Sequence, residues 1–184
     1  GKEYFWIGAL CYWILWYIFF SHKILGSFLP TFIHESIHVL IAVLTFHRIV
    51  DFMVRWNKGG HVRYVGGPGN WLILIAPYFF PLAFLLLLSL ETLHSFDSPE
   101  RELFFGMIWG FEFLCILRQT HVHQPDLRSV GYFFSFLFLP GALLLVNTLS
   151  IIVVLNATER IPSFFQRWFL YNIEQIEYII RLIE

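Results

Sequence analysis

The chain has 184 residues, of which 58% are hydrophobic, 20% aromatic and only 14% charged. A soluble domain averages about 25% charged residues and under half apolar ones. Too little polar surface exists here to coat a water-soluble globule, and the mean hydropathy of +0.67 agrees. Lipid must be the solvent for much of the chain. The net charge of −1 leaves no basic field to attract nucleic acid. Cys11 and Cys115 lie in apolar stretches, where buried free thiols are expected rather than a disulfide.

A bilayer core takes about 20 mostly apolar residues in helical form. Tyr4 to Ser21 carries no charge and is rich in Trp, Tyr and Phe. It reads as a first span and is kept as an anchor, because the apolar run is long and no small-x-small cleavage site follows it. A second span is predicted over 28–46, with Pro30 in its first turn, where a missing N–H costs nothing. The period then changes over 49–66: Val50, Phe52, Val54 and Trp56 alternate with Asp51, Met53 and Arg55. Asn57-Lys58-Gly59-Gly60 and His61-Val62-Arg63-Tyr64-Val65 follow, and alternation about a glycine turn predicts a β-hairpin. Such backbone enters a membrane only where protein or a wet cavity satisfies it.

A third span starts near Trp71, with Pro77 and Pro81 as kinks. An acidic loop over 91–102 leads to a fourth span over 103–117, which carries Glu112. A polar interval from Arg118 to Arg128 precedes a fifth span over 132–155, with Pro140 as a bend. The tail, 158–184, has Ser163, Arg167, Glu174, Glu177, Arg181 and Glu184 at helical spacing against an Ile, Phe and Trp face. It reads as an amphipathic helix lying in the membrane interface. The expected fold is one domain over 1–184, an all-α polytopic membrane protein. It has about five transmembrane helices, a small membrane-associated β-hairpin and a C-terminal amphipathic helix. Counting Lys and Arg by side orients it. With five spans, Lys2, Arg48, Arg55, Lys58, Arg63, Arg118 and Arg128 share one side, and Lys23, Arg101, Arg160, Arg167 and Arg181 the other. The hairpin and the 118–128 interval are therefore expected to face the cytoplasm.

His34-Glu35-Ser36-Ile37-His38 is an HExxH pattern inside the second span. Positions i and i+4 share a helix face, so both imidazoles reach one cation, and Glu35 is placed to take a proton from a metal-bound water. Zinc suits a site with three protein ligands and one open position. With this many His and Glu the pattern arises by chance about 0.02 times per chain. Ionisable side chains in mid-span are also costly enough to be functional by default.

On these residues the chain resembles the site-2 protease family of intramembrane zinc metalloproteases. In that family HExxH lies in a transmembrane helix, with an alanine four residues after the second histidine. A membrane-associated β segment and further spans follow. Ala42 stands at that spacing after His38, and 49–66 stands where the β segment belongs. The resemblance covers roughly residues 28–145. It implies a Zn2+ held by His34, His38 and Asp126, Glu35 as catalytic base, and a transmembrane protein substrate. Leu127 follows Asp126 where family members often have Gly. Gly67-Pro68-Gly69-Asn70 is one residue short of the family's Gly-Pro-x-x-Asn element, which bears on a substrate-clamping role for Asn70. His121 and His123 compete with Asp126 as third ligand, or would support the ligands or hydrogen-bond the oxyanion. Two other readings stay open: a membrane di-iron oxygenase or desaturase, which would need more clustered histidines, and a non-catalytic scaffold of the same fold.

Overall fold

The computed structural model describes residues 2–20, 28–56, 59–66, 70–94, 96–155 and 161–183. Ser21, Asn57 and Lys58 of the predicted turn, Gly67-Pro68-Gly69, and Lys23 and Arg160 from the charge count lie outside them. The chain forms two compact units, Gly1–Val146 and Asn147–Glu184. The first holds α1 (Lys2–Leu15, running on as a π-helical turn Trp16–Phe20), α2 (Phe28–Leu44), β1 (Arg48–Arg55) and β2 (Gly59–Val65). It continues with α3 (Trp71–Ile75, followed by a 3-10 turn Ala76–Tyr78), α4 (Leu82–Glu91), α5 (Ser98–Gln119), α6 (Pro125–Val130) and the start of α7 (Tyr132–Val154). The second holds the end of α7 and α8 (Ile161–Ile183).

Small residues decide how α1 meets α5. Gly106 and Gly110, four apart, lie on one face of α5 and let the backbones touch, as packing between helices in lipid favours. A Cβ at Gly106 would collide with the Phe5 carbonyl and one at Gly8 with the Leu103 carbonyl. Trp13 Nε1 donates to the Gly110 carbonyl at 3.1 Å, and Trp109 stacks on Phe113 with centroids 5.3 Å apart. Arg101 on α5 pairs with Glu91 at the end of α4 and lies over the Phe105 ring.

The third apolar stretch is broken rather than kinked: α3 with its 3-10 turn meets α4 at 74°. Pro77 and Pro81 lack the N–H groups that would carry a continuous helix past this point. The break leaves the first N–H groups of α4 without intrahelical partners. Glu112 of α5 supplies them, its Oε1 accepting from Ala83 N at 2.7 Å and Phe84 N at 3.1 Å. A carboxylate at the positive end of a half-helix also suits the helix dipole. This is the physical reason for an acid inside the predicted fourth span.

Among the described residues, α7 is long and apolar enough to cross a bilayer, and α3 with α4 passes the same criterion if the bent pair is one span. α1 and α2 are apolar but shorter. α5 has 22 residues and includes Glu100, Arg101, Glu102, Glu112 and Arg118. Pro140 lies inside α7.

The hairpin forms as predicted, with β1 antiparallel to β2 and Phe52 opposite Val62, Val54 opposite Gly60. An irregularity between Ile49 and Asp51 takes Val50 out of the alternation, and Val50 is exposed. Ile49 and Tyr64 instead pack against the core of Ile37, Ile41, Ala42, Ile73 and Ala76. Phe52 meets Phe32, and Trp56 stacks on Phe28 at 4.9 Å. The hairpin therefore lies along α2. Asp51 accepts from His61 Nε2 at 3.0 Å and from Arg63 at 3.1 Å, bonds that hold its carboxyl below the usual carboxylate range. In the second unit, α8 is one helix whose Phe165, Trp168, Phe169 and Tyr171 are exposed.

Candidate metal centre

α2 and α6 together build the site. His34, Glu35 and His38 are buried on α2, each 8% exposed or less. Asp126 stands in the first turn of α6, which Gly131 ends with φ +101° before α7 begins. Leu127, the departure from the family's Gly, is buried with Ile75, Tyr78 and Leu139. That contact pins α6 to the broken third stretch and leaves its neighbour Asp126 facing α2.

His34 Nε2 and His38 Nε2 each lie 3.5 Å from Asp126 Oδ2. One ligand atom from each of the three residues falls within 4.8 Å of the others. The far side of each ring is tethered. His38 Nδ1 lies 2.7 Å from the Ile73 carbonyl, which can only accept, so Nδ1 carries the proton. His34 Nδ1 lies 3.0 Å from Gln119 Oε1, and Gln119 Nε2 donates to the Pro30 carbonyl at 3.2 Å. In the neutral imidazoles both Nε2 lone pairs are then bare and point at a carboxylate. Three electron donors facing one another in this setting could hold a cation between them. An N, N, O set with the other ring nitrogens tied to acceptors could hold a metal ion.

Tyr78 closes the site. Its side chain is fully buried, its hydroxyl donates to Asp126 Oδ2 at 3.2 Å, and its ring meets His34 edge-on. Glu35 lies against β2 at Gly60, where an added Cβ would come within 2.6 Å of its Cγ. Glycine is what lets the strand approach the carboxylate so closely.

The other predicted site residues stand elsewhere. His121 and His123 are exposed in the turn between α5 and α6, their rings 6.2 Å apart, and His121 Nε2 lies 3.3 Å from Gln124 Nε2. Asn70 Oδ1 accepts from Leu72 N and caps α3. Sequence reasoning missed Tyr78, Gln119 and the Ile73 carbonyl. Tyr78 had a signal, being the one phenol in the charge-free run 71–90 and flanked by prolines on either side. Gln119 lay unremarked among polar neighbours, and a backbone carbonyl leaves no trace in a sequence.

Neither a comparison with curated proteins nor one with solved structures finds a match. A comparison with protein families matches residues 5–176 to the Peptidase M50B-like model. M50 peptidases are metallopeptidases, and that family together with α7 marks this as a membrane protein. A match over nearly the whole chain, across both the HExxH helix and the segment that brings Asp126 to it, makes the chain a member of the site-2 protease family of peptidases.

Proposed function

We propose that the chain is an intramembrane zinc metalloprotease that hydrolyses peptide bonds of a membrane-embedded protein substrate. One observation carries the reading: two imidazole nitrogens and one carboxylate oxygen converge from separate elements, with Glu35 on the same helix as both histidines. His34, His38 and Asp126 are the ligands, and a fourth position is left for water or substrate. When bound, the metal supplies a Lewis acid that polarises the scissile carbonyl and brings the pKa of water toward neutrality. Glu35 accepts the proton of the attacking water and delivers it to the leaving amine.

The setting in the bilayer rests on composition and family. α2 is apolar apart from Thr31, His34, Glu35, Ser36 and His38, so the site lies in a helix that lipid suits. The chain crosses the bilayer five times, and α8 lies in the membrane interface. The hairpin and the 118–128 interval face the cytoplasm, the side from which water reaches the ligands. Helical carbonyls are shielded by their own hydrogen bonds, so the substrate helix must unwind. An open edge of the hairpin would hold the unwound segment by strand addition.

The test is metal analysis with a cleavage assay on a membrane-embedded substrate. Wild type holds one zinc per chain. Glu35→Gln keeps that zinc and cuts about 10²- to 10⁴-fold more slowly. Undiminished turnover by Glu35→Gln, or folded wild type that takes up no zinc, would overturn the reading.

A further inference from the structure

We propose that Gln119 is a positioning residue for the metal centre, its amide clamped between the Pro30 carbonyl and His34 so as to fix that ligand's tautomer and ring orientation. The inference rests on the reading of His34 as a ligand.

The two histidines are oriented by different means. His38 is held by a main-chain carbonyl of α3, at Ile73, which no substitution there removes. His34 is held by a side chain, the last residue of α5. The direction of that amide follows from its second bond. Gln119 Nε2 can donate to the Pro30 carbonyl, whereas a flipped amide would set oxygen against oxygen there. Oε1 is thereby committed to His34 as an acceptor, and an acceptor at Nδ1 leaves Nε2 bare for a cation.

A neutral acceptor also suits the charge of the site. Asp126 and Glu35 together balance one divalent cation, and an amide adds nothing to that sum. Gln119, Pro30 and Cys115 also form part of the wall of a cavity of about 170 Å³ beside the site.

The experiment measures zinc affinity of the full-length chain in detergent, by chelator competition, for wild type, Gln119→Leu and Gln119→Glu. Thermal melting in excess chelator checks folding without metal. Gln119→Leu keeps the bulk but offers no acceptor, and should bind zinc about 10- to 100-fold more weakly. Gln119→Glu, protonated on the oxygen that faces the Pro30 carbonyl and so still able to donate there, restores the acceptor to His34 and should bind at least about tenfold more tightly than the leucine variant. Equal affinity of Gln119→Leu and wild type would overturn the proposal. So would a glutamate variant as weak as the leucine one, which would mean that shape alone matters. If the leucine variant does not fold, the glutamate variant decides: binding close to wild type supports the role of acceptor, and lost binding sinks it. Wild type without zinc would instead remove the protease reading itself, a separate result.

Discussion

Two histidine pairs in this chain differ in everything but residue type. His34 and His38 lie one helical turn apart on α2, buried, with each Nδ1 tied to an acceptor and each Nε2 aimed at one carboxylate. His121 and His123 lie two apart in a turn, exposed, and His121 approaches Gln124 at 3.3 Å. A metal ligand needs a fixed ring, a committed tautomer and a low-dielectric setting in which the cation is the best partner on offer. The first pair has all three. The second lies exposed to solvent, so imidazole count alone says little about where a metal binds.

Breaking the buried pair should have the largest effect. His38→Ala leaves two donors where three converge, and the purified chain should lose stoichiometric zinc and all cleavage together, as read by metal analysis and substrate turnover. Retained zinc in that variant would break the comparison outright. Gly60→Ala sharpens it by separating base from metal. The three atoms nearest the new Cβ belong to Glu35 and the Met53 carbonyl, so zinc should remain while turnover falls about 10- to 100-fold. Tyr78→Phe removes the hydroxyl that orients Asp126. A hydrogen bond to a charged group is worth about 1.5 kcal/mol, so zinc affinity should fall roughly tenfold by chelator competition. Replacing His121 and His123 together by Ala should leave zinc affinity unchanged. A loss as large as that of Tyr78→Phe would make the exposed pair candidate ligands again.

Particular residues show what could be read early. HExxH carried its own geometry, because helical periodicity alone puts His34 and His38 on one face. The hairpin was legible from period-two alternation, although the irregularity at Ile49 and Asp51 displaced Val50, since a bulge depends on cross-strand register. Glu112 could be flagged as an expensive acid, yet its task of capping α4 became visible only once the third stretch broke at Phe79–Pro81. Asp126 could be nominated only by resemblance, because it lies 88 positions beyond His38 and no helical or strand period reaches that far.

Sequence by itself determined the apolar character of the chain, the helix that carries the two histidines and glutamate, and the glycines able to bring backbones together. These follow from composition and short-range period, which act within a few residues. Only the tertiary structure decided which of Asp126, His121 and His123 faces α2, which amide and carbonyl hold the imidazoles, and that a phenol closes the site. Those choices depend on distances between segments far apart in the chain. They are set by the break in the third stretch and by Leu127 anchoring α6, and no local pattern encodes either distance.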